Sequence, residues 1–371
     1  MERFGWQTKA TALLGSLCLV FGLAACGGGN DSQQPDKTNN SSKLASGPIN
    51  VVASINQWGS LAKEIGGSDV NVTSIVNTVS VDAHDFEPQT TDMTKLQKAE
   101  IVVVNGAGYD NWASKSIAKG TTSVSAATAV GASTGDNPHL WFSKDARKAT
   151  ATELEDAFAK ARPAKAKQFQ ARLKTWKANE TKLEDSMKEF SQKHKDATYG
   201  ATEPVAYYLM DDLGFTDKTP KGYTQAISSE GEPAPSDLQK FQHLISGRDV
   251  NLLINNTQEA SNTTNLLTGT AGRTEVPVVD VSEQMPQDQT TLTGWITALM
   301  EKIDKAMDDF KASEADHQKV GSGNESSNSE QSGQSGQSGQ SSNSTDSNQQ
   351  TPSTPGNGSV PSNAGQTDPG K

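Results

Sequence analysis

Between Gly47 and His317 short apolar, β-branched runs alternate with amphipathic stretches, which is the pattern of parallel α/β units. Residues 49–53, 70–76 and 101–104 read as strands, and 58–65 and 91–98 as the helices between them. After Trp141 the period changes. Residues 143–195 are dense in Ala, Lys, Glu and Gln, with Leu154, Phe158, Phe169, Leu173, Trp176, Leu183, Met187 and Phe190 at helical intervals. This predicts one long helix, or two collinear ones meeting near Pro163. Alternation then resumes, with helices over 204–213, 236–246 and 289–310 and strands over 223–227, 250–254 and 276–281. The expected fold class is α/β. Two lobes with parallel sheets, residues 47–142 and 197–317, are joined by a long rigid helix over 143–196, leaving a cleft between them.

The two ends of the chain read differently. Arg3 and Lys9 precede a mainly apolar run over residues 10–25 that is shorter than the roughly 20 residues a membrane span needs. It ends in Leu23-Ala24-Ala25-Cys26-Gly27, which looks like a bacterial lipobox: residues 1–25 are expected to be a signal peptide and Cys26 the lipidated mature N-terminus. Cleavage would also remove Cys18, leaving a mature chain with no intramolecular disulfide. One acyl chain alone holds a protein weakly, so the multiple chains of such lipoproteins are implied. Residues 26–46, rich in Gly, Asn, Gln and Ser, read as a flexible tether. Residues 318–371 contain no aromatic residue and a Gly-Gln-Ser repeat, and are expected to be a disordered tail.

Charge narrows the function classes. With 33 Lys and Arg against 44 Asp and Glu, the net charge of −11 argues against nucleic acid as a partner. Of five histidines, His194, His243 and His317 have unremarkable surroundings and read as solvent-exposed. His84 and His139 both sit in loops after predicted strands and just before helices, the second with Ser143 as its cap. Ligands of open α/β sheets bind beyond the carboxyl ends of strands, so two such loops can converge on one crevice. Each histidine alone reads as structural or surface; the pair suggests a metal.

The surrounding motifs carry a family resemblance. Val51-Val52-Ala53-Ser54 with Lys63-Glu64-Ile65-Gly66-Gly67, His84-Asp85-Phe86-Glu87-Pro88, residues 99–106 and Pro138-His139-Leu140-Trp141 occur in order. In these the chain, from about Ile49 to Met307, resembles the ZnuA-like (cluster A-I) metal-binding lipoproteins of zinc, manganese and iron ABC transporters. The resemblance implies His84 and His139 as the first two metal ligands and Glu203, in Ala201-Thr202-Glu203-Pro204, as the third. The fourth is Glu283 in Val281-Ser282-Glu283, or Asp280 if the register shifts. Two neutral imidazoles and two carboxylates balance a divalent charge. Such a set suits zinc, and its oxygens suit manganese too, with iron a further option. The absence of histidine from residues 113–137 departs from the His-rich loop of many zinc-specific members.

The resemblance further implies an ABC permease as partner, capture outside the cytoplasm by a chain lipid-anchored to the outer membrane face, a monomer and no enzymatic activity. Two alternatives compete. A metal-dependent hydrolase would need a general base, nominally Glu87 or Asp85, but the chain has no His-Glu-x-x-His helix. A surface adhesin is suggested only by the tail. A dinucleotide enzyme is disfavoured, since Gly106-Ala107-Gly108 is followed by Asn111 where a third glycine belongs.

Overall fold

The computed structural model describes residues 47–81 and 86–325, with side chains through His317. The expected signal peptide, tether, Cys26 and His84 therefore lie outside the described residues, as does the expected tail from residue 326 onward.

The first lobe runs β1 (Ile49–Ile55), α1 (Asn56–Gly66), β2 (Val70–Val76), α2 (Thr90–Lys98), β3 (Ile101–Val104), α3 (Asn111–Ser114), β4 (Thr122–Ser125) and α4 (Ala126–Val130). Its sheet is entirely parallel in the order β2-β1-β3-β4, with Val51 paired to both Val72 and Ile101. The central strands β1 and β3 are apolar almost throughout because helices cover both faces. At the edge β4, with sequence Thr-Ser-Val-Ser, buries only Val124 fully and gives little apolar signal. The second lobe comprises β5 (Thr198–Ala201), α7 (Tyr207–Asp212), β6 (Thr216–Asp217), α8 (Lys221–Ile227), α9 (Pro235–Ser246), β7 (Leu252–Asn256), α10 (Asn262–Arg273) and β8 (Val278–Val281). Its parallel sheet repeats the first lobe's order as β6-β5-β7-β8.

Between the lobes lie α5 (Lys144–Ala161) and α6 (Ala166–Lys193), and the chain returns in α11 (Leu292–Glu325). Ser143 caps α5 as expected, its hydroxyl accepting from Ala146 N. The two helices are not collinear. Pro163 opens a 3-10 turn, after which α6 folds back along α5: Phe158 meets Phe169 beside the turn, at 5.5 Å between ring centroids, and farther away Arg147 pairs with Glu180. The hairpin forms because each helix has an apolar stripe, and burying one against the other removes both from water. One apolar core joins the lobes, from Ile49 and Trp58 through Leu154, Phe169 and Trp176 to Leu299 and Ile303.

Three further expectations need correction. Residues 223–227 form part of α8, not a strand; Tyr223 is buried against Phe241 and the β-branched signal of the segment is too short to decide. The backbone of α11 continues to Glu325, so residues 318–325 are helical rather than part of a disordered tail. His194 is 2 % exposed rather than solvent-facing: Nε2 donates to Asp304 Oδ1 at 2.6 Å, and Nδ1 accepts from Lys311 Nζ at 2.9 Å. His243 and His317 are exposed, as expected.

Candidate metal centre

Both sheets direct the carboxyl ends of their strands toward the same cleft. After β3, Gly106 takes a φ of +78°, and an added Cβ would lie 2.7 Å from that of Ala127, so glycine suits the turn on both counts. The turn is pinned by Asp110, whose carboxylate accepts from the N–H groups of Asn105 and Gly106 at 2.6 and 2.9 Å. Burial pushes the Asp110 carboxyl up from its ordinary range, and these hydrogen bonds act against it. Asn105 receives Trp58 Nε1 and donates to Pro138 O at 2.8 Å, fixing the start of the segment that carries His139.

His139 is 2 % exposed. Asn137 Oδ1 accepts from both the His139 backbone N–H, at 3.0 Å, and Nδ1, at 2.8 Å. An oxygen at Nδ1 assigns the proton there and leaves the Nε2 lone pair for coordination. Nε2 lies 3.8 Å from Glu203 Oε1. Asn137 also spans the lobes, donating through Nδ2 to Pro204 O at 2.8 Å. Glu203 follows β5 at the start of a 3-10 turn opened by Pro204. Its Oε2 accepts from Asn256 Nδ2 at 2.6 Å.

Glu283 follows β8 and is fully buried. Its Oε1 accepts from the same Asn256 amide at 3.1 Å, and its Oε2 from Tyr109 OH at 2.6 Å. The backbone is held as well, with Glu283 N donating to Gln258 Oε1 at 2.7 Å and Gln57 Nε2 to Glu283 O at 2.5 Å. Ligand-type atoms of His139, Glu203 and Glu283 all lie within 4.8 Å of one another. One neutral nitrogen, one buried carboxylate and one partly buried carboxylate at this spacing form a donor set for a divalent cation, whose charge would offset the cost of bringing the carboxylates together.

Asp280, the alternative fourth ligand, is elsewhere. It lies exposed within β8, where its carboxylate accepts from Asn255 Nδ2 at 2.8 Å. His84 is outside the described residues, but both flanks of its segment are anchored: Val81 O accepts from Gln258 Nε2 at 3.0 Å, and Phe86 packs edge-on against Trp112 at 4.8 Å. Glu87, the nominal base of a hydrolase, is exposed. A second histidine and carboxylate cluster, His194 with Asp304 and Asp308, already holds cations: Lys193 Nζ bridges the two aspartates at 2.8 and 3.0 Å.

Sequence reasoning did not identify Tyr109, Asn137, Asn256 or Gln258 as part of the centre. Tyr109 stands in a loop that attracted notice only as an incomplete glycine motif. For Asn256 and Gln258 the available signal was the polar run Asn255-Asn256-Thr257-Gln258 at the end of an apolar strand, and for Asn137 its place two residues before His139.

A family model described as zinc-uptake complex component A, periplasmic, matches residues 51–306. The manganese-binding lipoprotein MntA of Bacillus subtilis is 26 % identical over 247 residues, covering 63 % of this chain and 76 % of that protein. The zinc-binding protein AdcA of Streptococcus pyogenes is 25 % identical over 225 residues, 52 % of this chain; the match spans only 42 % of AdcA. Among solved structures, the periplasmic zinc-binding protein TroA of Treponema pallidum superposes with a TM-score of 0.60 at 17 % identity, covering 71 % of this chain and 99 % of TroA. At that identity the likeness speaks for the fold.

Proposed function

We propose, for a chain that belongs to the zinc-uptake complex component A family, that it captures one divalent transition metal, zinc or manganese, and delivers it to an ABC permease for uptake. In this reading His84, His139, Glu203 and Glu283 are the ligands. The observation that carries it is the convergence of His139 from one sheet with Glu203 and Glu283 from the other, all within 4.8 Å. The cargo would bridge the lobes, with residues 143–196 as the segment linking them. Similarity to lipoproteins such as MntA supports a location outside the cytoplasm. Lipid on Cys26 would tether a monomer to the outer face of the cell membrane. The role is one of binding and release rather than turnover.

Metal analysis of the purified mature chain with isothermal titration tests this reading. One zinc or manganese per chain is expected. His139→Ala and Glu203→Gln should each weaken binding by orders of magnitude, while His243→Ala binds like the parent. Full one-to-one affinity in both His139→Ala and Glu203→Gln would sink the assignment.

A further inference from the structure

Two residues before His139 stands an amide whose orientation is fixed from both lobes. Asn137 Nδ2 donates across the cleft to Pro204 O at 2.8 Å. That carbonyl can only accept, and Tyr207 N–H holds it in its 3-10 turn. On the other side Asn137 Oδ1 faces the His139 backbone N–H at 3.0 Å, which can only donate. These two one-way partners leave the amide a single orientation, so the atom 2.8 Å from His139 Nδ1 is an oxygen. The second lobe grips the same residue again, with Tyr208 OH donating to Asn137 O at 2.9 Å.

The consequence falls on the ring. An oxygen acceptor at Nδ1 keeps the proton of the neutral imidazole there, and Nε2, 3.8 Å from Glu203 Oε1, presents its lone pair to the centre. A ring without that acceptor can carry its proton on Nε2 instead, which blocks coordination until the proton moves. His139 is buried, with Trp141 edge-on at 5.3 Å, so water does not readily take the acceptor's place. An aspartate at position 137 would serve the ring as well, but it would set a carboxylate oxygen against Pro204 O. The amide serves both partners. Because Pro204 directly follows Glu203, one side chain links a candidate ligand of the first lobe to the turn that carries one of the second.

We propose that Asn137 is a positioning residue for metal capture: it fixes His139 as the Nδ1-protonated tautomer and, through Pro204, ties presentation of that ligand to contact between the lobes. The inference rests on the metal-capture reading, and its first readout needs no metal. Long-range proton–nitrogen correlation spectra of the chelator-treated mature chain are recorded at mildly alkaline pH, with His139→Ala identifying the signal. The proton is expected on Nδ1 in the parent and in Asn137→Asp, and partly or wholly on Nε2 in Asn137→Ala. Zinc affinity, measured by chelator competition, should fall about 10–100-fold in Asn137→Ala and recover in part in Asn137→Asp. Stopped-flow capture should show zinc leaving Asn137→Asp several-fold faster than the parent, despite the added negative charge near the ion, because the bond to Pro204 is lost. Lower affinity in Asn137→Ala with the tautomer unmoved would mark a merely structural role and overturn the inference. A parent ring protonated on Nε2, in a chain that still binds metal, would overturn it too and leave metal capture intact. Zinc loss from Asn137→Asp no faster than from the parent would overturn the tie between the lobes. If Asn137→Ala fails to fold, Asn137→Leu, of similar size and without hydrogen-bonding atoms, carries the same test. A parent that binds neither zinc nor manganese would overturn metal capture and this role together.

Discussion

Asn137 acts on both sides of the cleft, orienting His139 through its side-chain oxygen and holding Pro204 through its amide nitrogen. Loss of such a residue would disturb the centre without removing a ligand. Glu64 presents a different economy. It lies outside the centre, with Oε1 buried and without a hydrogen-bond partner in the protein. Burial, reinforced by the nearby Glu180 carboxylate, raises its pKa from an ordinary 4.5 to about 7. The native state therefore keeps a proton that the unfolded chain releases near pH 4.5. The favourable contribution is complete below that pH and is lost as the pH rises through 7. A rise of this size corresponds to about 3 kcal/mol. In urea titrations of the chelator-treated protein, stability should fall between pH 5 and pH 8, and Glu64→Gln should flatten that fall and exceed the parent at pH 8. Identical pH slopes for the two proteins would show that this carboxyl does not carry the effect.

The α5–α6 hairpin depends on an ion pair buried along its seam. Arg147 is fully buried and donates through Nε and Nη2 to Glu180 Oε1, and through Nη1 to Trp141 O at 3.1 Å. Arg147→Met would leave the Glu180 charge uncompensated, and denaturant unfolding should report a loss of about 3–5 kcal/mol. A loss below about 1 kcal/mol would mean that the apolar stripes alone hold the hairpin. The pairing also marks a limit of sequence reading. Helical spacing from Leu154 to Phe190 identified both helices, but periodicity carries no information on whether a chain continues or doubles back at Pro163. Central strands were legible for the opposite reason: β1 and β3 are covered on both faces and so are apolar almost throughout. Strands β4 and β6 and helix α10 escaped notice, because edge strands need little apolar surface and α10, rich in Thr and Asn, has little helical signature. In the centre, His139 stood out through its motif. Glu283 was the motif's first choice and Asp280 its alternative; that β8 leaves Asp280 exposed, and that Tyr109 and Asn256 meet Glu283 from two sheets, was not legible in the sequence.

At the scale of the whole molecule, the two sheets share one strand order, and structurally equivalent turns face each other. Asn105 follows β3 as Asn256 ends β7; one secures the segment leading to His139, the other clasps the two glutamates. Across this arrangement runs a set of bonds that join lobe to lobe. Among them, Asn56 Nδ2 donates to Met285 O at 2.7 Å and Met285 N to Asn56 Oδ1 at 3.1 Å. If cargo lies between the lobes, these contacts bear on time as well as affinity. The ion's escape must await their parting, so residence is governed by the lifetime of the closed cleft, and a permease that pries the lobes apart can hasten unloading without altering a single ligand. Asn56→Ala should raise the metal dissociation rate roughly tenfold and change association far less, as read by stopped-flow capture with an excess of chelator. Unaltered dissociation in Asn56→Ala would instead locate the slow step at the ligands themselves. On the kinetic view the cleft behaves as a timer, whose setting is written in amides that never touch the metal.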